Sequence, residues 1–254
     1  MNPEIKNRLL ALTHGVAHRG LHDMSRPENS RAAFENAVAK KLPFEFDLHL
    51  TEDKRLVVCH DSDLSRMCGK AGIIEELTLQ EIKEGYRLPD GSELITLEEL
   101  LEINPCVVPM TIELKAFKGN GPEIAAFTAK ALKGNPCLTD AVFISFDANA
   151  LRALQKENLH VPLGLLISTE GIKELKEEDL YEFDFLDVEV HYSLLPRFGR
   201  YKKKGGALLC WTVKSRFTDW IGRKRCHAVT WEQVDSAKPK LKLNRYIKKK
   251  YDPD

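Results

Sequence analysis

Short apolar runs of strand character alternate with helical patterns along this 254-residue chain. The strand-like runs lie at 15–17, 44–50, 55–60, 107–114, 141–146, 162–167, 185–190, 207–213 and 226–230. Apolar residues recurring every three or four positions predict helices at 28–41, 79–84, 97–103, 122–132, 148–157, 169–179, 194–204 and 218–224. About eight strand–helix units are what an α/β fold of the (β/α)₈ barrel type requires. The alternation also permits an open, doubly wound sheet, although the pattern favours the barrel.

The second strand-like run, 44–50, alternates apolar residues with acids. Because successive side chains of a strand point to opposite faces, Glu45 and Asp47 share one face. Two acids on a buried face would repel each other, and their oxygens suit a hard cation such as Mg²⁺ or Ca²⁺. A half-exposed strand whose acids are solvated is the alternative interpretation.

Glu113 and Lys115 repeat this alternation at the end of the run 107–114. Such a pair can be a purely structural ion pair. Together with the two acids of the earlier run, it supplies a third carboxylate for a metal and a cation for a developing oxyanion. The pattern therefore favours a site for one divalent cation.

Two histidines lie at the ends of strand-like runs in the same half of the chain, His18 after 15–17 and His60 at the end of 55–60. An imidazole with an ordinary pKa of about 6.5 can act as general acid or general base near neutral pH. A lone histidine beside an arginine is more often a surface feature, so the hypothesis of catalysis depends on histidines and acids occurring together.

Three further residues near strand ends have competing interpretations. His49 lies on the same alternating face as Asp47 and is either an extra metal ligand or a solvated loop residue. Asp61 is expected to cap a loop rather than to orient the neighbouring His60. Trp211 is either part of the core or a platform for a ligand.

Motifs in a fixed order run through the chain, densely over 14–115 and sparsely afterwards. They read HRG at 18–20, ENS at 28–30, EFDLHLTED at 45–53, VVCHD at 57–61, LSR at 64–66, ITLEEL at 95–100, IELK at 112–115, ISFD at 144–147 and WTV at 211–213. This order and spacing resembles the glycerophosphodiester phosphodiesterase (glycerophosphoryl diester phosphodiesterase) family. The resemblance implies a TIM barrel.

The resemblance also implies roles for eight residues. These are two catalytic histidines, His18 and His60; three metal ligands, Glu45, Asp47 and Glu113; two cations that hold the phosphate, Arg19 and Lys115; and a platform for the glycerol, Trp211. The implied activity is metal-dependent hydrolysis of glycerophosphodiesters to glycerol 3-phosphate and an alcohol, by two-histidine acid/base catalysis. The alternatives are a related phosphodiesterase or lyase acting on lysophospholipids, and a non-catalytic protein that binds anionic membranes.

The last quarter of the chain departs from the family pattern. Lys214 follows Val213 where the family usually has asparagine. The expected final strand, rich in glycine and aspartate with an acidic end, is replaced by 225–230. Neither change touches the proposed acid/base or metal residues. Both concern the pocket wall that recognises the alcohol.

The chain is expected to form one phosphodiesterase barrel domain over 1–254, with a small insertion, 61–94, after the second strand region and a basic tail, 238–254. Seventeen lysines and arginines face three acids between Arg197 and Lys250, although the whole chain has no net charge. This region permits weak contact with a membrane surface, but a solvated basic edge is the favoured interpretation. Aromatic residues do not alternate with these charges as in single-strand binders, so no nucleic-acid partner is expected.

No run approaches the roughly 18 apolar residues of a membrane span, and the first eight residues lack the apolar segment of a secretory signal. The six cysteines lack metal-ligand spacing and are expected to be reduced thiols in a soluble, cytoplasmic protein. Cys59 and Cys210 lie in apolar runs, which predicts buried positions. The expected partner is a small glycerophosphodiester, and the oligomeric state is left open.

Overall fold

The computed structural model describes residues 3–13 and 15–232 of the chain. Its strands within that part are β1 (Val16–Ala17), β2 (Phe44–Leu50), β3 (Leu56–Val58), β4 (Met110–Leu114), β5 (Val142–Ser145), β6 (Leu163–Ile167), β7 (Phe185–Glu189), β8 (Ala207–Val213) and β9 (Ala228–Trp231). All of them except β3 are parallel neighbours in one sheet, and β1 pairs with both β2 and β9. The sheet therefore closes into the predicted eight-stranded TIM barrel, and the open-sheet alternative is wrong. β3 forms an antiparallel hairpin with β2.

Helices surround the barrel. The α-helices are α1 (Pro3–Ala11), α2 (Arg31–Ala39), α3 (Ser65–Cys68), α4 (Leu79–Gly85), α5 (Leu97–Ile103), α6 (Gly121–Leu132), α7 (Ala148–Lys156), α8 (Gly171–Glu174), α9 (Pro196–Lys203) and α10 (Arg216–Arg225). Short 3₁₀ helices lie at Ile74–Glu76, Pro136–Asp140, Asp179–Tyr181 and Tyr192–Leu194. Most predicted helices are confirmed to within a few residues of their ends.

Two helical regions differ from the sequence-based expectation. The helix predicted over 169–179 is wrong, because only the single turn α8 forms and it buries no residue. An isolated turn without an apolar face gains too little packing to propagate. The helix α1 was not predicted, yet its Leu9, together with Leu12, packs against Val16 and Phe185 inside the barrel.

Strand β2 is buried along its whole length, so the interpretation of half-exposed, solvated acids is wrong. Its outer face carries Phe44 and Phe46, whose rings lie 5.0 and 6.1 Å from that of Phe34 on α2. This aromatic packing fixes the face of the strand that points outward. By alternation, Glu45 and Asp47 then point into the barrel.

The insertion 61–94 packs on β3 through its own apolar cluster, which includes Val57, Leu64 and Ile82. The organisation of 1–254 as one domain stays a prediction, and the tail 238–254 lies outside the described residues. None of the described helices is long and apolar enough to cross a membrane.

The prediction that all cysteines are reduced is wrong for one pair, because Cys106 and Cys137 form a disulfide. Their separation of 31 residues gives no sequence signature. The fold brings the two Cα atoms to 4.6 Å, within the range that a disulfide requires. Cys59 and Cys210 are buried as predicted.

Candidate active site

A cavity of about 700 Å³ opens at the carboxyl ends of the barrel strands. Side chains that line it include His18 after β1, Glu45 on β2, Glu113 on β4, Asp187 on β7 and Trp211 on β8. Because parallel strands of a barrel all end at the same face, residues far apart in sequence meet there.

Three carboxylates meet at this cavity, with oxygen atoms of Glu45, Asp47 and Glu113 all within 4.8 Å of one another. Strand pairing explains the meeting, since Asp47 lies directly beside Glu113 in the register of β2 and β4. Lys115 Nζ lies 2.6 Å from Glu113 Oε1 and 3.1 Å from Asp47 Oδ1. All three acids are buried.

Burial and mutual repulsion shape the protonation of this cluster. Burial, Asp47 and Glu113 raise the pKa of Glu45 well above its usual value. Burial also raises the pKa of Glu113 to about 7, although Lys115 opposes this shift. Burial opposes ionisation of Asp47 as well, yet Lys115, His60 and other cations hold its pKa below the usual range. The protein alone therefore does not compensate three full negative charges.

The donor set fits a hard divalent cation. Glu45 Oε1 is buried and accepts no hydrogen bond from the residues that the structure describes, while its other oxygen accepts one from the Arg19 backbone N–H at 2.8 Å. Carboxylate oxygens are the ligands that Mg²⁺ and Ca²⁺ prefer. A divalent cation among Glu45, Asp47 and Glu113 would compensate the repulsion that raises the pKa values of the two glutamates.

The loop after β1 is fixed in a backbone conformation that brings its side chains to the acids. Arg19 and Asn29 have φ angles of 53° and 55°, and Gly20 has 79°. A Cβ at Gly20 would lie 3.0 Å from that of Ala33 and would sit on a residue with positive φ, so a side chain there would be both crowded and strained. Asn29 donates a hydrogen bond to Asp47 Oδ2 at 2.8 Å, and Arg19 Nε lies 3.7 Å from the same oxygen.

His18 lies between two acids. Its Nδ1 is 3.2 Å from Glu232 Oε2, and its Nε2 is 4.0 Å from Glu45 Oε2. With its proton on Nδ1, the ring donates to Glu232 and turns the basic Nε2 toward the carboxylate cluster. Burial lowers the pKa of His18, an effect that the hydrogen bond to Glu232 opposes.

His60 has the same kind of support from another carboxylate. Its Nδ1 lies 2.6 Å from Asp61 Oδ1, and Asp61 in turn contacts Arg66. Burial lowers the pKa of His60, which favours the neutral ring near pH 7. Both histidines therefore contact a carboxylate through Nδ1, and both line the cavity.

An apolar wall faces the β2 side of the cavity. The rings of Phe146 and Trp211 meet edge to face with their centroids 5.6 Å apart. Ile144 and Leu166 extend this wall. The indole N–H of Trp211 donates to the backbone oxygen of Asp187 at 3.3 Å, which fixes the plane of the ring.

The family model of the glycerophosphoryl diester phosphodiesterase family matches residues 18–236. The chain belongs to this family. A glycerophosphodiester phosphodiesterase of Caldanaerobacter subterraneus subsp. tengcongensis is 30% identical over 207 residues, which cover 78% of this chain and 84% of that protein. Family membership makes the chain an enzyme of glycerophosphodiester hydrolysis.

Two solved structures show the same fold. The glycerophosphodiester phosphodiesterase of Thermotoga maritima superposes with a TM-score of 0.70 at 26% identity, covering 86% of this chain and 94% of that one. A phosphodiesterase of Oleispira antarctica, in complex with its product sn-glycerol-3-phosphate, gives 0.73 at 24% identity, covering 85% and 91%.

All eight residues to which the family resemblance gave roles lie at this one site, and their roles stay predictions. Two neighbouring expectations are wrong. His49 is neither a metal ligand nor solvated, because it is buried between Glu75, 2.6 Å from its Nδ1, and the backbone oxygen of His60, 3.1 Å from its Nε2. Asp61 contacts the His60 ring and so orients its neighbour.

Sequence reasoning missed Glu232. The final strand was expected to lack an acidic end, but Glu232 directly follows β9 and also lies 3.1 Å from Lys214 Nζ. The closed barrel brings the end of β9 beside β1, so this acid reaches His18 across 214 positions of sequence. An acid two residues after the predicted strand end at 230 was the available signal.

Replacing Glu232 by glutamine is expected to lower kcat by about 10- to 100-fold, as is typical when a carboxylate behind a working histidine is lost. Because Glu232 raises the pKa of His18, its loss should also move the His18 limb of the pH profile of kcat to lower pH. The matched control, Glu76→Gln, removes an exposed acid that pairs with Lys118 and should leave the profile unchanged. An unshifted limb in Glu232→Gln would contradict a positioning role.

Asp187 was also missed, because on sequence it is one acid in an apolar run. Its side chain is 1% exposed, and neither oxygen accepts a hydrogen bond from the part of the chain that the structure describes. Burial and the nearby Glu113 raise the pKa of Asp187 well above its usual value. The residue lies on β7, across the barrel from the β2 acids.

Asp187→Asn is expected to remove a pH-dependent loss of stability. Native Asp187 binds its proton more tightly than the unfolded chain does, so the free energy of unfolding falls as pH rises above about 3.9. In urea unfolding of the metal-free proteins, the free energy of unfolding of the variant should rise relative to that of the wild type as pH increases. The expected difference is about 1.4 kcal/mol for each unit by which the pKa of Asp187 is raised. Parallel curves between about pH 4 and 8 would show that burial does not perturb this group.

Proposed function

We propose that this enzyme cleaves glycerophosphodiesters to glycerol 3-phosphate and an alcohol, with one divalent cation bound at Glu45, Asp47 and Glu113 and with two histidines as general acid and base. The observation that carries the proposal is the arrangement of His18 and His60, each backed by a carboxylate, around one buried carboxylate cluster. Phosphodiester hydrolysis needs charge neutralisation, an activated attacking oxygen and a protonated leaving group.

Charge neutralisation falls to the cations at the site. Lys115 and Arg19 lie beside the acids at the cavity, where the nonbridging oxygens of a phosphodiester would bind. The guanidinium and ammonium groups donate hydrogen bonds to those oxygens and favour the extra negative charge of the transition state. When bound, Mg²⁺ or Ca²⁺ supplies Lewis-acid stabilisation of the same charge.

Proton transfer falls to the two imidazoles. A neutral ring whose Nδ1 proton is held by a carboxylate can act as the general base, because its Nε2 accepts the proton of the attacking oxygen. The lowered pKa values of His18 and His60 keep such a neutral form available near pH 7. The second imidazole, once protonated, donates its proton to the leaving oxygen. The aromatic wall of Phe146 and Trp211 offers a surface for the carbon atoms of glycerol.

The product is the most direct test of this reaction. The related Oleispira phosphodiesterase holds sn-glycerol-3-phosphate as its product, which supports the same product here. Incubation with glycerophosphocholine, followed by ³¹P NMR, should show glycerol 3-phosphate appearing as the substrate disappears. Choline phosphate as product would contradict the proposed bond cleavage. Turnover of lysophosphatidylcholine without turnover of glycerophosphocholine would favour the alternative lysophospholipid activity.

A further inference from the structure

The helix α10 presents two aromatic rings to solvent on its outer face. Phe217 is 67% exposed and Trp220 is 56% exposed, and their rings stack 6.4 Å apart at 18°. Lys224 Nζ lies 4.3 Å from the centre of the Trp220 ring. Large aromatic side chains dominate core and interface energetics when buried, so a stacked exposed pair marks a contact surface.

Two further exposed apolar residues lie just before α9. Leu194 and Leu195 are 47% and 37% exposed in the turn before this helix. Arg225, the last residue of α10, donates a hydrogen bond to the backbone oxygen of Leu194 at 3.2 Å, which ties the two elements together. We call the exposed residues of these two neighbouring elements the α9–α10 surface; it comprises Leu194, Leu195, Arg216, Phe217, Trp220 and Lys224.

The charge around this surface has one sign. From Leu194 to Arg225 the chain has ten lysines and arginines and a single acid, Asp219. That acid is already paired with Arg223, whose Nε lies 2.8 Å from its Oδ1. An aromatic pair flanked by basic residues is complementary to an apolar layer beneath an anionic one, which describes the surface of an anionic phospholipid membrane.

The α9–α10 surface also begins at the rim of the active site. Helix α10 starts at Arg216, directly after β8, whose last residues and Lys214 line the cavity. A membrane contact here would hold the mouth of the cavity close to the lipid headgroups. The observations bear on the outer wall of the barrel and are independent of the proposed catalytic roles.

The basic charge and exposed apolar residues of the α9–α10 surface favour a membrane over three other possible partners. A second copy docking through the same face would oppose two strongly basic surfaces. The segment 233–254 is itself basic, with seven lysines and arginines and three acids, so it repels this surface. Nucleic acid satisfies the charge but leaves Leu194 and Leu195 exposed. We propose that the α9–α10 surface docks the enzyme peripherally on anionic phospholipid membranes, with Phe217 and Trp220 entering the interface.

Sedimentation with vesicles tests this proposal. The wild type should bind vesicles with about 30% phosphatidylserine at least ~10-fold more tightly than pure phosphatidylcholine vesicles, and about 0.5 M salt should weaken this binding. The double variant Phe217→Ser/Trp220→Ser should lose about 10-fold or more in binding. A charge variant, Arg216→Glu/Lys224→Glu, should lose the preference for anionic lipid.

The readout is separable from catalysis, because sedimentation needs no turnover and both variants should still cleave water-soluble glycerophosphocholine. Leu10→Ser, which removes a 44% exposed leucine on α1, is the matched control and should bind like the wild type. Tryptophan emission should shift to the blue with anionic vesicles in the wild type but not in Trp220→Phe. Equal binding of the double variant and the wild type would overturn the proposal. Salt-sensitive binding to nucleic acid in place of vesicles, or self-association through this face, would also overturn it.

Discussion

Replacing His18 by alanine is expected to lower kcat by about 10²- to 10⁴-fold, the usual contribution of a positioned acid or base. The ring lies inside the cavity with Nε2 facing the carboxylate cluster, and Glu232 holds its other nitrogen. Glycerol 3-phosphate release from glycerophosphocholine measures the loss. Because the ring is not one of the three proposed ligands, metal affinity measured by calorimetry should remain close to that of the wild type.

The control for this variant is His160→Asn. His160 is exposed at the opposite end of the barrel, in the loop between α7 and β6. Its φ of 53° is an angle that asparagine tolerates, so the fold should be preserved. If His18→Ala kept most of the wild-type activity, the acid/base assignment would be wrong.

The second large effect is expected for Asp47→Asn, which should weaken metal binding by more than the roughly 10- to 100-fold typical of residues outside the ligand set. Asp47 is fully buried beside Glu113 and holds its negative charge against Lys115. Asparagine keeps the size of the side chain but removes the charge that attracts the cation. Calorimetric titration with Mg²⁺ and Ca²⁺ measures the loss, and excess metal should partly restore activity.

Asp187→Asn is the matched control, because it makes the same chemical change at another buried, inward-facing aspartate of the same barrel. Asp187 lies outside the cluster of three carboxylates, so the metal affinity of its variant should stay much closer to that of the wild type than the affinity of Asp47→Asn does. Equal losses in the two variants, or no loss in Asp47→Asn, would remove Asp47 from the ligand set. Glu45→Ala should behave like Asp47→Asn.

Structural features that depend on local periodicity could be predicted from the sequence. The alternation in β2 predicted the shared face of Glu45 and Asp47, because successive side chains of any strand point to opposite faces. The four-residue turn α8 shows the converse. The sequence pattern over 169–179 predicted a longer helix than the four residues that form one. How far a helix extends depends on tertiary packing, which a single sequence does not show.

Contacts between distant segments could not be predicted in the same way. The approach of Glu232 to His18 depends on closure of the barrel between β9 and β1. The buried state of His49 depends on Glu75, which the insertion brings to it. Each case needs a tertiary register, which a single sequence does not specify. The motif-based family resemblance supplied the eight proposed site residues but not these supporting partners.

The measurement that tests the central claim most directly is release of glycerol 3-phosphate from glycerophosphocholine and glycerophosphoethanolamine by the wild type, with EDTA, Mg²⁺ and Ca²⁺ in parallel. We expect release that EDTA abolishes and that at least one of the two cations restores, because in the proposed mechanism a divalent cation balances the charge of Glu45, Asp47 and Glu113. Full activity of a metal-free protein in EDTA, or no release by a folded and metal-loaded one, would contradict the account.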